Sequence, residues 1–373
     1  MKNFRRWGYL ILIVLFIACV PANYSGSMSG GKSGLGGTGG PLADKKTGIG
    51  GTGFLTGNDG EVLGIVGRIT GFGSIWVNGV EVEFDPNALI YMAGSNTSPA
   101  DLAVGQVVEV LATNHTGEVW AESISIRHEV IGQISSVSAD GKALQVLDQQ
   151  VIIASDTIIP STWVDSPTVD SVVRVSGFRD TQGRILASRI EEGLPDEADF
   201  LIGMIQAKSA EDMVVAGIPV ISSDMGGDLQ VGDTVRIGGR FKDGVLILET
   251  VGRDAAQLFS SRIDRLIVEA VLIPGAGESF SLGAMPFRVK SVAGLEENHA
   301  VTGDMPHLFI GVMGAGGEVS LERISRGVPV NRGVVTTPMG RENSMDKQST
   351  MPARQNTPRI PSGGPASLRR MNR

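Results

Sequence analysis

From residue 62 the chain alternates apolar and polar positions with a period of two, and most of the apolar positions are Val or Ile. Val108-Glu109-Val110, Val173-Arg174-Val175 and Val235-Arg236-Ile237 each set two branched side chains on one face and a charge on the other. That alternation predicts half-buried β-strands with apolar residues inward and the charge outward. Asn78-Gly79, Asp140-Gly141 and Asp243-Gly244 fall between such runs and predict tight turns.

The pattern repeats. One unit opens at Gly64 to Ile69, continues through Leu102 to Val110 and ends at Ala121 to Ile126; the next uses Ile131 to Ile134, Val169 to Gly177 and Ile185 to Ile190. A third uses Ile202 to Ile205, Leu229 to Gly239 and Val245 to Val251. The step from Val104 to Val169 is 65 residues and from Val169 to Val231 is 62. Five short strands in such a unit leave exposed edges in an open sheet, and closure into a small barrel removes them. An eroded fourth copy is expected to open at Ser261 to Asp264, run through Ser279 to Val289 and finish with Val301 to Asp304 and Gly316 to Ile324. Pro306 there stands where a central strand should run, which argues against a regular copy.

The frame G-x-I, a hairpin, then G-D-x-V-x-V-x-G and A-x-x-I resembles the bacterial repeat known as domain of unknown function 5666. Residues 62–253 carry the likeness well and 254–330 poorly, and Asp170-Ser171 departs from the expected Gly-Asp. The resemblance implies OB-like barrels and an exported location, and brings no established activity or catalytic residues. The expected fold class is therefore all-β: three to four tandem small OB-like β-barrel repeats of about 65 residues, flanked by disordered termini. The segments are 1–19 signal peptide, 20–61 tether, 62–128, 129–193, 199–253 and 258–328 repeats, and 329–373 tail.

The N-terminus changes the picture from fold to location. Basic Met1 to Arg6 precedes an apolar run from Trp7 to Ala18, the length of a signal-peptide core and short of the roughly 20 residues a spanning helix needs. Phe16-Ile17-Ala18-Cys19 resembles the lipobox of bacterial lipoproteins, with Phe16 where Leu is usual. Cys19, the chain's one cysteine, is the expected lipidation site, with simple secretion or an uncleaved anchor as the alternative. Two or three acyl chains hold a protein durably at a membrane. Val20 resembles the outer-membrane sorting class in a host with two membranes. The expected partners are therefore the membrane, through lipid on Cys19, and envelope proteins or polymers.

Charge divides the chain. The overall formal charge is −8; subtracting +3 for residues 1–61 and +6 for residues 331–373 leaves −17 for 62–330. A body that acidic repels phosphate backbones, so it is not expected to bind nucleic acid. The 51 glycines are about twice the usual share of roughly 7%, and many lie in the tether. There Gly26 to Ser33 fits a phosphate-loop expression, while Gly34 to Gly39 and Gly48 to Gly53 fit G-x-G-x-x-G. None sits between a buried strand and a helix, where backbone amides face a phosphate, so all three are chance matches and no cofactor is expected. The basic, proline-rich tail is expected to be a solubilising segment, or one that docks on the acidic body or on polyanions.

Little else suggests chemistry. His115 and His128 are expected to be solvated strand-end residues, with a metal site between them the lesser alternative, and His299 and His307 lie in the eroded repeat. Asp85, Asp140, Asp228, Asp233 and Asp243 recur at turns without a calcium-loop spacing, so turn stabilisation is their expected role. Trp76 alternates with Ile75 and Val77 and should point outward; Trp76 and Trp120 are the possible ligand contacts, against packing under a neighbouring repeat. The sequence favours a non-enzymatic envelope scaffold over a polymer hydrolase or metal-dependent enzyme, and over a purely structural spacer.

Overall fold

Strands form where the alternation predicts them, and they close into rings. The computed structural model describes residues 58–327 except 86, 164–166, 223–226, 276–278, 290–304 and 315–317. Cys19, the tether up to residue 57, His299, Val301 to Asp304 and the basic tail lie outside the described residues.

The first barrel contains β1 (Val62–Gly71), β2 (Ile75–Val77), β3 (Val80–Glu83), a side hairpin of β4 (Leu89–Met92) and β5 (Ser95–Thr97), then β6 (Val107–His115) and β7 (Glu118–Arg127). β1 pairs with β2, β2 with β3, β3 with β7, β7 with β6, and β6 with β1, which closes the ring. β3–β7 is parallel and the other pairs are antiparallel. Setting the side hairpin aside, the order around the barrel is first, second, third, fifth, fourth, an OB-like Greek key.

The second barrel repeats this order with β8 (Val130–Val137), β9 (Ala143–Val146), β10 (Gln149–Ile158), β11 (Val172–Arg179) and β12 (Ile185–Glu192), its parallel pair being β10–β12. The third uses β13 (Asp199–Lys208), β14 (Asp212–Val215), β15 (Ile218–Ile221), β16 (Thr234–Lys242) and β17 (Val245–Arg253), with β15–β17 parallel. A short helix, α1 (Ala255–Phe259), leads to the fourth. There β18 (Arg265–Ala270) and β19 (Leu272–Pro274) form an interrupted first strand, followed by β20 (Phe280–Leu282), β21 (Arg288–Val289), β22 (His307–Met313) and β23 (Glu318–Arg326). This ring also closes, through parallel β21–β23.

The fourth copy is thus more regular than its sequence predicts. Its opening strand begins at Arg265 rather than at Ser261, and Pro306 lies just before β22, where a missing amide costs no ladder hydrogen bond. The first two interiors are largely Val and Ile as expected, with Ile65, Val82, Val110 and Ile124 in the first barrel and Val146, Val151, Val173 and Ile190 in the second, whereas Leu282, Phe287 and Phe309 are buried in the fourth.

Two features of the repeat frame gain a physical reason. The glycine of G-x-I (Gly67, Gly132, Gly203) lies under its own barrel's hairpin turn, and a Cβ there would come within 3.0 Å of Asn78, Leu147 and Ala216 respectively. The glycine of G-D-x-V has a left-handed backbone, φ +88° at Gly105 and +94° at Gly232. Asp170 adopts φ 70° at the corresponding place, a conformation its short polar side chain tolerates.

The barrels are not separate beads. β1 pairs in parallel with β18, joining the first barrel to the fourth, and β8 pairs with β13, joining the second to the third. Asn78 reinforces the first junction, its buried amide donating to the carbonyls of Val66 on β1 (2.8 Å) and Ile267 on β18 (3.3 Å).

Candidate ligand face and buried ion hub

The charged residues assigned outward by alternation do leave their own barrels, but two of them enter a junction between barrels instead of water. Glu109 on β6 and Arg236 on β16 meet there with Arg127 at the end of β7, Glu129 in the first inter-barrel connection, Arg179 at the end of β11 and Asp254 after β17. Arg127 Nη1 lies 2.5 Å from both Glu109 Oε1 and Asp254 Oδ2, and its Nε lies 2.7 Å from Glu129 Oε1. Glu129 Oε2 accepts from Arg179 Nε at 3.0 Å. Arg236 pairs with Glu109 and with Asp254 Oδ1, and donates to Ser125 Oγ at 3.0 Å. Arg179 also donates to Gln149 Oε1 at 2.8 Å and to the Ile202 carbonyl at 3.1 Å.

Three guanidiniums therefore face three carboxylates, drawn from the first three barrels and the connection to the fourth. Burial pushes the Glu109 carboxyl up to about 7; Arg236 and Arg127 oppose the shift, and the Asp254 carboxylate adds to it. Burial acts the same way on Asp254, but there Arg127 and Arg236 outweigh it and hold the group below its ordinary value. The two neighbouring carboxyls are thus unlike: Asp254 stays ionised while Glu109 titrates near neutrality. A half-buried arginine on a buried carboxylate ties the fourth barrel in, with Arg68 Nη2 2.6 Å from Glu269 Oε1 and the same guanidinium 5.8 Å from the Phe178 ring centroid.

The expected metal alternative between His115 and His128 is not formed. His115 is exposed at the end of β6, whereas His128, expected to be solvated, is 1% exposed between the first two barrels. Neither ring nitrogen of His128 has a hydrogen-bond partner among the described residues, and Nε2 lies 3.6 Å from Glu191. Burial raises the Glu191 carboxyl, but His128, Arg189 and Gln106 together bring it down to about 2. His307 is buried in the fourth barrel with Nδ1 2.9 Å from the Met305 carbonyl. Among the described residues, no three His, Cys, Asp or Glu are grouped to hold a metal ion. Acids at turns do stabilise them: Asp85 accepts from the Asn87 amide at 2.8 Å and Asp140 from the Lys142 amide at 3.1 Å.

The two tryptophans share a face. Trp76 pairs with Glu81 across β2–β3, and Glu83 pairs with Trp120 across β3–β7. Val80 and Val82 point into the barrel, so Glu81 and Glu83 project outward between the two rings. Trp76 is half-buried and Trp120 is 40% exposed. Trp163 packs against the core of the second and third barrels instead.

The fold defines a tandem-repeat protein of OB-like barrels. Residues 64–125 and 131–191, the first two barrels, match the family model described as Domain of unknown function (DUF5666), as the sequence resemblance expects. No curated protein matches the chain. The solved structure "drosophila Unr CSD456" is 13% identical over 52% of this chain and 97% of its own, with a TM-score of 0.17.

Proposed function

We propose that the protein is a non-enzymatic envelope lipoprotein whose four barrels form one rigid binding scaffold, and that the first barrel's Trp76–Trp120 face takes an uncharged glycan. The pair of outward tryptophans flanking Glu81 and Glu83 carries this reading. OB-like barrels bind oligonucleotides and oligosaccharides on the face of their second and third strands. Aromatic rings stack on the apolar faces of such ligands, and the two carboxylates repel phosphate.

The fold-back favours a scaffold over a spacer. Parallel pairing of β1 with β18 draws the fourth barrel against the first, which shortens the reach a spacer would maximise. In this reading Cys19 carries the lipid that holds the block at the envelope.

Titration of tryptophan emission with soluble N-acetylglucosamine hexamer tests the face. A saturable change is expected in the parent and its loss in Trp120→Ala; no change in the parent removes the glycan assignment. Metabolic labelling with an alkyne fatty acid tests the anchor, with label expected on the parent and absent from Cys19→Ala.

A further inference from the structure

The first and third barrels face each other across a cleft of about 560 Å³, which Ser123 and Ser125 of β7 line on the first barrel's side. The hub's Glu109 and Arg236 reach it, Leu111, Phe200 and Val251 give it an apolar wall, and Arg253 and Arg262 also line it. Its charged lining is three arginines and one glutamate, in a body whose formal charge is −17. The cleft of about 650 Å³ between the second and third barrels has the opposite sign, with five carboxylates against Arg240 and Lys242.

From this combination we infer that the cleft between the first and third barrels binds a small amphiphilic monocarboxylate. Its apolar part lies on the Leu111–Phe200–Val251 wall and its carboxylate is held by Arg253 and Arg262.

The arginines differ in what they can offer. Arg236 is committed to Glu109 and Asp254 inside the hub, and releasing it would leave two buried carboxylates to Arg127 alone. Arg262 holds Glu122 at 2.8 Å, which is 42% exposed; Arg253 holds Asp228 at 2.6 Å, which is 77% exposed, and its other Nη donates to the Asp228 carbonyl at 2.9 Å and lies 3.3 Å from the less exposed Asp233. Exposed pairs contribute little, so Asp228 and Glu122 can return to solvent when a ligand carboxylate arrives. A ligand carboxylate that meets both guanidinium forks gains charge-assisted hydrogen bonds from two arginines, where Glu122 has one and Asp228 has one. A dianion is disfavoured because the Glu109 carboxyl lies at the same cleft.

Isothermal titration of the full chain with 4-phenylbutyrate tests the assignment, with 4-phenylbutan-1-ol as the uncharged control. Saturable binding of one molecule per chain is expected, at least tenfold weaker for the alcohol and at least tenfold weaker in Arg262→Glu. Arg240→Glu, at the other cleft, should bind like the parent. Trp120→Ala should also retain binding, so failure here and failure of the glycan face are distinguishable. Should Arg262→Glu lower the thermal midpoint, Thr250→Trp, which fills the cleft from an exposed position, is read in its place and should abolish binding. Absence of saturable heat, equal affinity for the alcohol, or parent-like affinity in both cleft variants overturns the inference.

Discussion

Replacing Arg127 with Met removes the centre of the ion hub while keeping a stem of similar length. In the parent, this guanidinium contacts Glu109 and Asp254 at 2.5 Å and Glu129 at 2.7 Å, and its side chain is 2% exposed. Without it, two arginines remain to neutralise three buried carboxylates. Removing one partner of a buried pair costs about 3–5 kcal/mol, since the surviving charge keeps its desolvation penalty. With a urea slope of about 1–3 kcal/mol/M, the midpoint should fall by roughly 1–5 M. Far-ultraviolet circular dichroism reports the whole β-structure, and emission from Trp76, Trp120 and Trp163 reports the first two barrels. A second substitution sharpens the test: adding Glu109→Gln removes the least compensated carboxylate and should restore part of the loss. The electrostatic account fails if Arg127→Met costs less than about 1 kcal/mol, at the level of an exposed pair, or if Glu109→Gln deepens the loss.

The remaining expectations concern pH, packing and charge order. Glu109 has a folded value of about 7 against an ordinary 4.5, so the folded state binds the extra proton between these values. Its contribution therefore falls by on the order of 3 kcal/mol as pH rises from 4.5 to 7, and Glu109→Gln should flatten that part of the stability profile. Glu191 behaves oppositely, its stabilisation present above 4.5 and lost as pH falls toward about 2, so thermal midpoints of the parent should peak near pH 5. Gly203→Ala drives a methyl to within 3.0 Å of the Ala216 side chain and should cost about 1–3 kcal/mol in urea unfolding. Asn78→Ala strands two carbonyls at the junction of the first and fourth barrels and should cost about 1–3 kcal/mol by the same assay. Exchanging Glu109 and Arg236 in one double variant should not restore parent stability, because the guanidinium moved to the first barrel would face Arg127 and the carboxylate moved to the third would face Asp254.

The barrels were legible in the chain and their assembly was not. Period two at Val108, Val110, Val173, Val175, Val235 and Ile237 reports the inside of a barrel directly, because alternate residues of a strand face opposite sides. The same alternation says only that Glu109 and Arg236 leave the barrel. Whether water or another barrel lies beyond depends on contacts between residues more than a hundred positions apart, such as Glu109 with Arg236. His128 was misplaced for the same reason: a polar residue beside a strand end looks solvated until a second barrel covers it. The fourth ring was obscured by short strands and by Pro306, whose place just outside β22 cannot be known before the register is. Trp76 was legible as an outward residue and Trp120 only as a possible ligand contact; that they share a face depended on β3 lying between them, which is topology.

The first three barrels have similar Val- and Ile-rich interiors, which leave open which barrel packs against which, since such faces carry no address. The strand position occupied by Glu109 in the first barrel holds Arg174 in the second, Arg236 in the third and Leu308 in the fourth, as their matching registers show. The third barrel's arginine enters the hub, whereas Arg174 pairs with Glu197 at 2.7 Å outside it. A hub that needs one carboxylate and one guanidinium at equivalent places rejects two copies of the same barrel, because like charges would then be buried together. The net stabilisation from such a network is small beside that of the apolar cores, and its larger consequence is order. By fixing the first and third barrels in one arrangement, the hub also fixes the two walls of the cleft between them, so any ligand affinity there depends on charges that sit beneath it.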